Sequence, residues 1–117
     1  MPQLITVGNK MIRINPSENR LELSSTNGAT WIYRSRMGRM YGKLKDLLWF
    51  HDKLYALTET GIWRSSNEGA DWGKCGSGKI VEDMVALQDG GRQLFGLTSN
   101  GRLWISYNEG ADWVPRA

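Results

Sequence analysis

Five cations fall within the twelve residues from Arg34 to Lys45, with no acidic residue among them and with Met37, Met40 and Tyr41 interleaved. That chemistry suits an anionic group. Guanidinium and ammonium donors make charge-assisted hydrogen bonds to carboxylate, sulfate or phosphate oxygens, and a tyrosine ring adds a flat contact. Arg36, Arg39, Tyr41 and Lys43 are the candidate ligand contacts, and the competing reading is a solvated loop that aids solubility. Asp46 follows directly, and Asp83 opens a later apolar stretch in the same way. Paired carboxylates can perform the acid–base work of glycoside hydrolysis. Their recurrence at matching positions argues instead for a shared structural task, with a secondary role in orienting a ligand hydroxyl. The lone His51 and lone Cys75 supply neither a spaced metal-ligand set nor an internal disulfide, so no metal or cofactor is expected.

These residues hang on a repeat. Ser24-Ser25-Thr26-Asn27-Gly28-Ala29-Thr30-Trp31, Ser65-Ser66-Asn67-Glu68-Gly69-Ala70-Asp71-Trp72 and Ser106-Tyr107-Asn108-Glu109-Gly110-Ala111-Asp112-Trp113 begin 41 residues apart. A fixed period of that size marks units that cannot bury their apolar faces alone. Each motif has a mechanical reading as a tight turn. Gly28, Gly69 and Gly110 accept positive φ without a Cβ penalty, and Asn67 and Asn108 can fold back onto nearby backbone amides. The closing Trp31, Trp72 and Trp113 then lie across the turn as apolar lids. Thr26 stands where the other copies have Asn, so the first turn is expected to be the weakest.

The S-x-(D/N)-x-G-x-x-W pattern resembles the Asp-box, or BNR, repeat of β-propellers such as sialidases and sortilin-type receptor domains. The resemblance implies an all-β fold with four antiparallel strands per unit. It implies that Ser24, Ser65 and Ser106, with their Asx, glycine and tryptophan partners, are structural and lie away from the ligand face. It also places the Arg34–Lys45 segment on the face where ligands of such folds usually bind. One repeat domain over residues 1–117 follows, with blades at approximately 1–43, 44–80 and 81–117.

Each unit supplies first strands (Leu4–Val7, Leu47–Phe50, Met84–Leu87) and second strands (Met11–Ile14, Leu54–Leu57, Leu94–Leu97). Third strands lead into each motif, and fourth strands begin at Trp31, Trp72 and Trp113. Arg13 stands where Ala56 and Gly96 stand in the other units, so it needs an acidic partner, a channel or a subunit boundary. Trp63 and Trp104 correspond, with Glu22 in the first unit, and are read as packing residues with sugar stacking as the alternative. Three blades cannot close a propeller, which takes four to eight. Both end blades would then expose an apolar face, and a homodimer making a six-bladed ring is the expected solution.

Composition fits a soluble domain: 40% hydrophobic residues, and no apolar run near the ~20 residues that cross a bilayer. The N-terminal residues enter a strand at once, so no signal peptide is expected, and a cytoplasmic protein with no membrane partner is the reading. A net charge of +3 is modest, and no nucleic-acid motif accompanies it. A sialidase-like hydrolase would need a cluster of three arginines and a Tyr–Glu pair, yet the first strands contain no arginine. The expected function is therefore a non-catalytic binding module for a glycan or a protein partner. The sialidase-like hydrolase is the alternative.

Overall fold

The computed structural model describes residues 4–36 and 42–116, with the Arg36 side chain excepted. Short β-branched and aromatic runs punctuated by glycine and Asx residues form twelve strands in chain order. They are β1 (Leu4–Val7), β2 (Lys10–Asn15), β3 (Arg20–Ser24), β4 (Ile32–Arg36), β5 (Leu44–Phe50), β6 (Lys53–Thr58), β7 (Gly61–Ser65), β8 (Gly73–Gly76), β9 (Met84–Asp89), β10 (Leu94–Thr98), β11 (Leu103–Ser106) and β12 (Val114–Pro115). They make three four-stranded antiparallel sheets, each in simple sequential order. Fourth strands start one residue after the tryptophan, and β5 reaches back to Leu44. Pro115 lies on the outermost strand, where a missing N–H leaves no ladder bond unmade. A helical turn, α1 (Lys79–Glu82), joins the second sheet to the third. The sequence carries no periodic signal for so short an element.

The three repeated turns share one hydrogen-bond pattern. Gly69 N–H donates to Ser65 Oγ (2.8 Å), Asp71 N–H to Asn67 Oδ1 (2.9 Å), and Trp72 Nε1–H to the Gly69 carbonyl (3.1 Å). The turn of Ser106, Asn108, Gly110 and Trp113 repeats it at 2.8, 2.9 and 3.0 Å. In the first turn Gly28 N–H donates to Ser24 Oγ (2.9 Å) and Trp31 Nε1–H to the Gly28 carbonyl (3.1 Å), while Thr26 Oγ1 accepts from Thr30 N–H (2.9 Å) in place of the Asx oxygen. The glycines are left-handed as expected, and so are the residues before them: Asn27, Glu68 and Glu109 have φ of 58°, 60° and 61°. A glutamate pays for that conformation where asparagine hardly does. Its reason lies between the sheets.

Packing between blades makes two cores. Ile12, Ile14, Leu21 and Leu23 of the first blade meet Leu44, Leu47, Leu54 and Ala56 of the second, with Trp72 against them. Tyr55, Leu57 and Ile62 of the second meet Met84, Leu87 and Leu94 of the third, with Trp104 and Trp113 alongside. Blade 2 is buried on both faces, while each end blade keeps one face free. The third blade's free face is apolar, with Leu97 38% exposed. The first blade's is mixed: Leu4 and Tyr33 stay exposed on it as the cross-strand partners of Arg13 and Glu22. Arg13 pairs with Glu22 across β2 and β3 exactly where Ala56 faces Trp63 and Gly96 faces Trp104. The expectation of two apolar end faces is corrected in part: at the centre of the blade 1 face a charged pair replaces the tryptophan, while apolar residues remain around it. Ile12 points into the first core and is fully buried there.

Candidate functional site

Strand order puts the connections between blades on the same side as the β2–β3, β6–β7 and β10–β11 turns, and the repeated turns on the other. Arg34 is committed to the scaffold on the side of the repeated turns: its Nε and a terminal nitrogen donate to the carbonyls of Glu68 (3.0 Å) and Asn67 (2.8 Å) in the next blade. Lys45 Nζ is similarly spent on the Glu82 and Met84 carbonyls (2.8 and 2.9 Å). Arg36 ends β4, and Arg39 and Tyr41 lie outside the described residues. Lys43 is exposed, with its backbone N–H held by Glu59 Oε1 at 2.9 Å.

Asp46 and Asp83 do not share a setting. Asp46 is fully buried on innermost strand β5, and its Oδ2 accepts from Leu87 N–H of the neighbouring blade (2.9 Å). Burial pushes its carboxyl up to about 6, against the backbone donors that favour the charge. Asp83 is exposed at the end of α1 and accepts from Ser99 Oγ–H at 2.7 Å. By strand register the partner of Asp46 in blade 3 is Ala86, which faces Leu97 as Asp46 faces Leu57. The matching role expected of the two aspartates is corrected: α1 occupies the chain before β9 and moves Asp83 out of the strand. The backbone-accepting task foreseen for Asp46 is present and crosses a blade boundary.

Arg13 found its acidic partner. Its Nε donates to Glu22 Oε1 (2.9 Å), and its guanidinium lies over the Trp31 ring at 4.1 Å. Glu22, 4% exposed, also accepts from Arg20 (2.7 Å) and from Asn15 Nδ2 (3.2 Å). The Arg20 guanidinium, then the Asn15 amide, hold its carboxyl down to about 2. A charge so fully paired is a scaffold element. Cys75, half-buried in β8, has its thiol pushed up to about 11 by burial, which leaves little thiolate at neutral pH.

The side bearing the repeated turns holds an open cleft of about 360 Å³ beside β7 and β8. Lys53, Arg64 and Lys74 line it with Asn67, Asp71 and Trp72. Trp72 is fixed there by hydrogen bonds to Gly69 and to Ser35 Oγ (3.3 Å) of the first blade. Arg64 is balanced by Glu109 of the third blade (3.1 Å), whereas Lys74 is exposed. Sequence reasoning treated Trp72 as a turn lid and missed the cations around it. The available signal was register: the motif serine fixes Trp63 opposite Lys74 and Arg64 opposite Gly73.

Residues 3–117 match the DUF6242 β-propeller domain. The chain belongs to that family. As a DUF6242 β-propeller it brings no activity with the name, and no curated protein matches it. Among solved structures it is similar to YCF48 from Cyanidioschyzon merolae, with a TM-score of 0.71 and 13% identity over 97% of this chain and 42% of that one. It is also similar to PorZ of Porphyromonas gingivalis, a surface component of the type-IX secretion system, with a TM-score of 0.68 and 16% identity over 96% of this chain and 15% of that one. Identities this low speak for the fold alone. The DUF6242 chain spans less than half of YCF48 and a smaller part of PorZ. Among its described residues no helix is long and apolar enough to cross a membrane.

Proposed function

We propose that this β-propeller domain is a non-catalytic binding module whose ligand is a glycan or protein segment carrying negative charge. The observation behind the reading is the cleft at Trp72, where an indole and an exposed Lys74 stand beside Lys53 and Arg64. An indole face suits the apolar side of a pyranose or an aliphatic side chain, and the cations suit a carboxylate or sulfate. The carboxylates nominated for acid–base work are engaged elsewhere, Asp46 with the Leu87 amide and Asp83 with Ser99. We also read the three turns as Asp-box repeats, on the strength of their shared serine, glycine and tryptophan hydrogen bonds.

A glycan array including sialylated and sulfated sugars, followed by titration at two salt concentrations, tests the reading. Binding that weakens with salt and is lost in Lys53→Ala/Lys74→Ala supports the cleft, since screening attenuates exposed charge interactions. A second site is favoured by the exposed Lys43 on the opposite face, adjoining Arg36, Arg39 and Tyr41 in the chain. Loss of binding in Arg36→Ala/Arg39→Ala with the cleft variant unaffected would move the ligand to that segment. Turnover of a sialoside by the purified protein would overturn the non-catalytic reading in favour of a sialidase-like hydrolase.

A further inference from the structure

The two internal blade boundaries are built to one plan, and the two free ends carry its missing halves. At the first boundary Lys10, which opens β2, pairs with Glu68 in the next blade's repeated turn (3.1 Å). At the second, Lys53 opens β6 and approaches Glu109 of the next turn (4.0 Å), which also binds Arg64 more closely (3.1 Å). This is why glutamates occupy a left-handed position there. Counting by register, the third cation position is Gln93, and the third carboxylate position is Asn27. Both members change together at the open ends, so a seam between them joins two neutral amides and strands no charge. Arg116 matches the first boundary: it follows Trp113 by three residues as Arg34 follows Trp31, while Cys75 fills that place at the second. Arg34 grips the carbonyls of Asn67 and Glu68 in the next blade. Arg116 is exposed, with its guanidinium available to a neighbouring blade.

The apolar face of blade 3 follows the same order. Ile12, Ile14 and Leu21 are buried against blade 2, and their counterparts Tyr55, Leu57 and Ile62 against blade 3. Their third set, Phe95, Leu97 and Leu103, lines a free shallow hollow of about 110 Å³. The face that would cover it, on blade 1, presents Trp31 with Arg13 stacked upon it. The Arg13–Glu22 pair already has its partners within the protomer, so covering it requires no new ion pair.

We propose that two copies of this chain close a six-bladed ring, the free face of blade 3 in each receiving blade 1 of the other. Two identical head-to-tail seams related by a two-fold axis close the assembly, and six blades lie within the range propellers adopt. In each seam Arg116 donates to the carbonyls of Thr26 and Asn27 of the other copy, and Gln93 meets Asn27. Leu97 and Phe95 pack on Trp31.

Sedimentation equilibrium of the full chain at micromolar concentration tests this, with circular dichroism to verify folding. The expected species is a dimer. Leu97→Glu puts a charge into both apolar seams and should raise the dimer Kd on the order of a hundredfold or more. Gln93→Lys with Asn27→Glu rebuilds the internal Lys–Glu pair and should tighten the dimer by about threefold per seam, roughly tenfold in all. Gln93→Glu with Asn27→Glu sets like charges together and should loosen it comparably. This last pair touches no core residue, so it decides the matter even if Leu97→Glu fails to fold. A compact monomer, an assembly of any other size, or a dimer indifferent to the charge variants would overturn the ring. A propeller partner of a different sequence would reveal itself as a monomer in isolation.

Discussion

Asp46 is an acid held where its charge is unwelcome, and that has a consequence for pH. Its folded carboxyl titrates near 6, against an ordinary 3.8. The native state therefore binds the proton more tightly than the unfolded chain, and the stability this confers is full below the ordinary value and lost as pH rises through 6. Asp46→Asn should flatten that slope, and the wild-type minus variant difference should change on the order of 2–3 kcal/mol between about pH 3 and pH 8, read by urea unfolding. Glu22 behaves oppositely. Its carboxyl is lowered from 4.5 to about 2, so its contribution is present above the ordinary value and disappears as pH falls through 2. Glu22→Gln should cost about 2–3 kcal/mol near neutral pH, because Arg13 and Arg20 would lose their charged partner, and should cost little at very low pH. A pH-independent penalty would mean that Glu22 acts through packing alone. That Arg13 needs a partner was legible from its departure from the repeat, while the choice among an acid, a channel and a subunit boundary was not, since Glu22 faces it only by strand register. The separation of Asp46 from Asp83 was not, since it depends on a bulge between Leu44 and Asp46 and on a single helical turn before β9.

At the scale of elements the repeated turn carries the fold, and its period made all three sheets legible before any coordinate. The motif fixed which residues enter the third strand and which tryptophan follows it. What the period could not convey is inter-blade contact, because a repeat describes a unit and says nothing of what the unit touches. Gly69 and Gly110 illustrate both levels. Each has strongly positive φ, 95° and 98°, and each turn also leans on the preceding blade, Gly69 on Leu21 and Gly110 on Cys75 and Ile62. Gly110→Val should therefore destabilise by about 2–4 kcal/mol, the sum of backbone strain and a displaced contact. A penalty near zero in thermal or urea unfolding would show that the turn relaxes freely. The Asx oxygen is a smaller matter. Asn67→Ala removes acceptors for Asp71 N–H and Ser65 Oγ–H and should cost about 1 kcal/mol, as loss of a helix-cap acceptor does. Thr26→Ala should cost less: only the threonine hydroxyl is lost, from a turn that is more exposed.

The whole molecule is a row of three sheets glued at two boundaries, and position in the row decides what a side chain contributes. Leu57 and Leu97 occupy the same place in their blades, opposite Ile62 and Leu103. Leu57 is fully buried between blades 2 and 3, while Leu97 is 38% exposed on the free face. Leu57→Ala should cost about 2–5 kcal/mol by lost burial and a cavity in a closed core. In the isolated protomer Leu97→Ala removes surface that is already partly wet and should cost under about 1 kcal/mol. Protein concentration separates the two residues further. If the free face is covered by a second copy, folding and association are linked, and the apparent stability of the wild type rises with concentration. The Leu97→Ala penalty should then grow with concentration while the Leu57→Ala penalty stays constant. Urea unfolding at two protein concentrations, well below and well above the dimer Kd, reads both. A Leu97→Ala penalty that is small and constant at both concentrations would place the free face of blade 3 permanently in solvent.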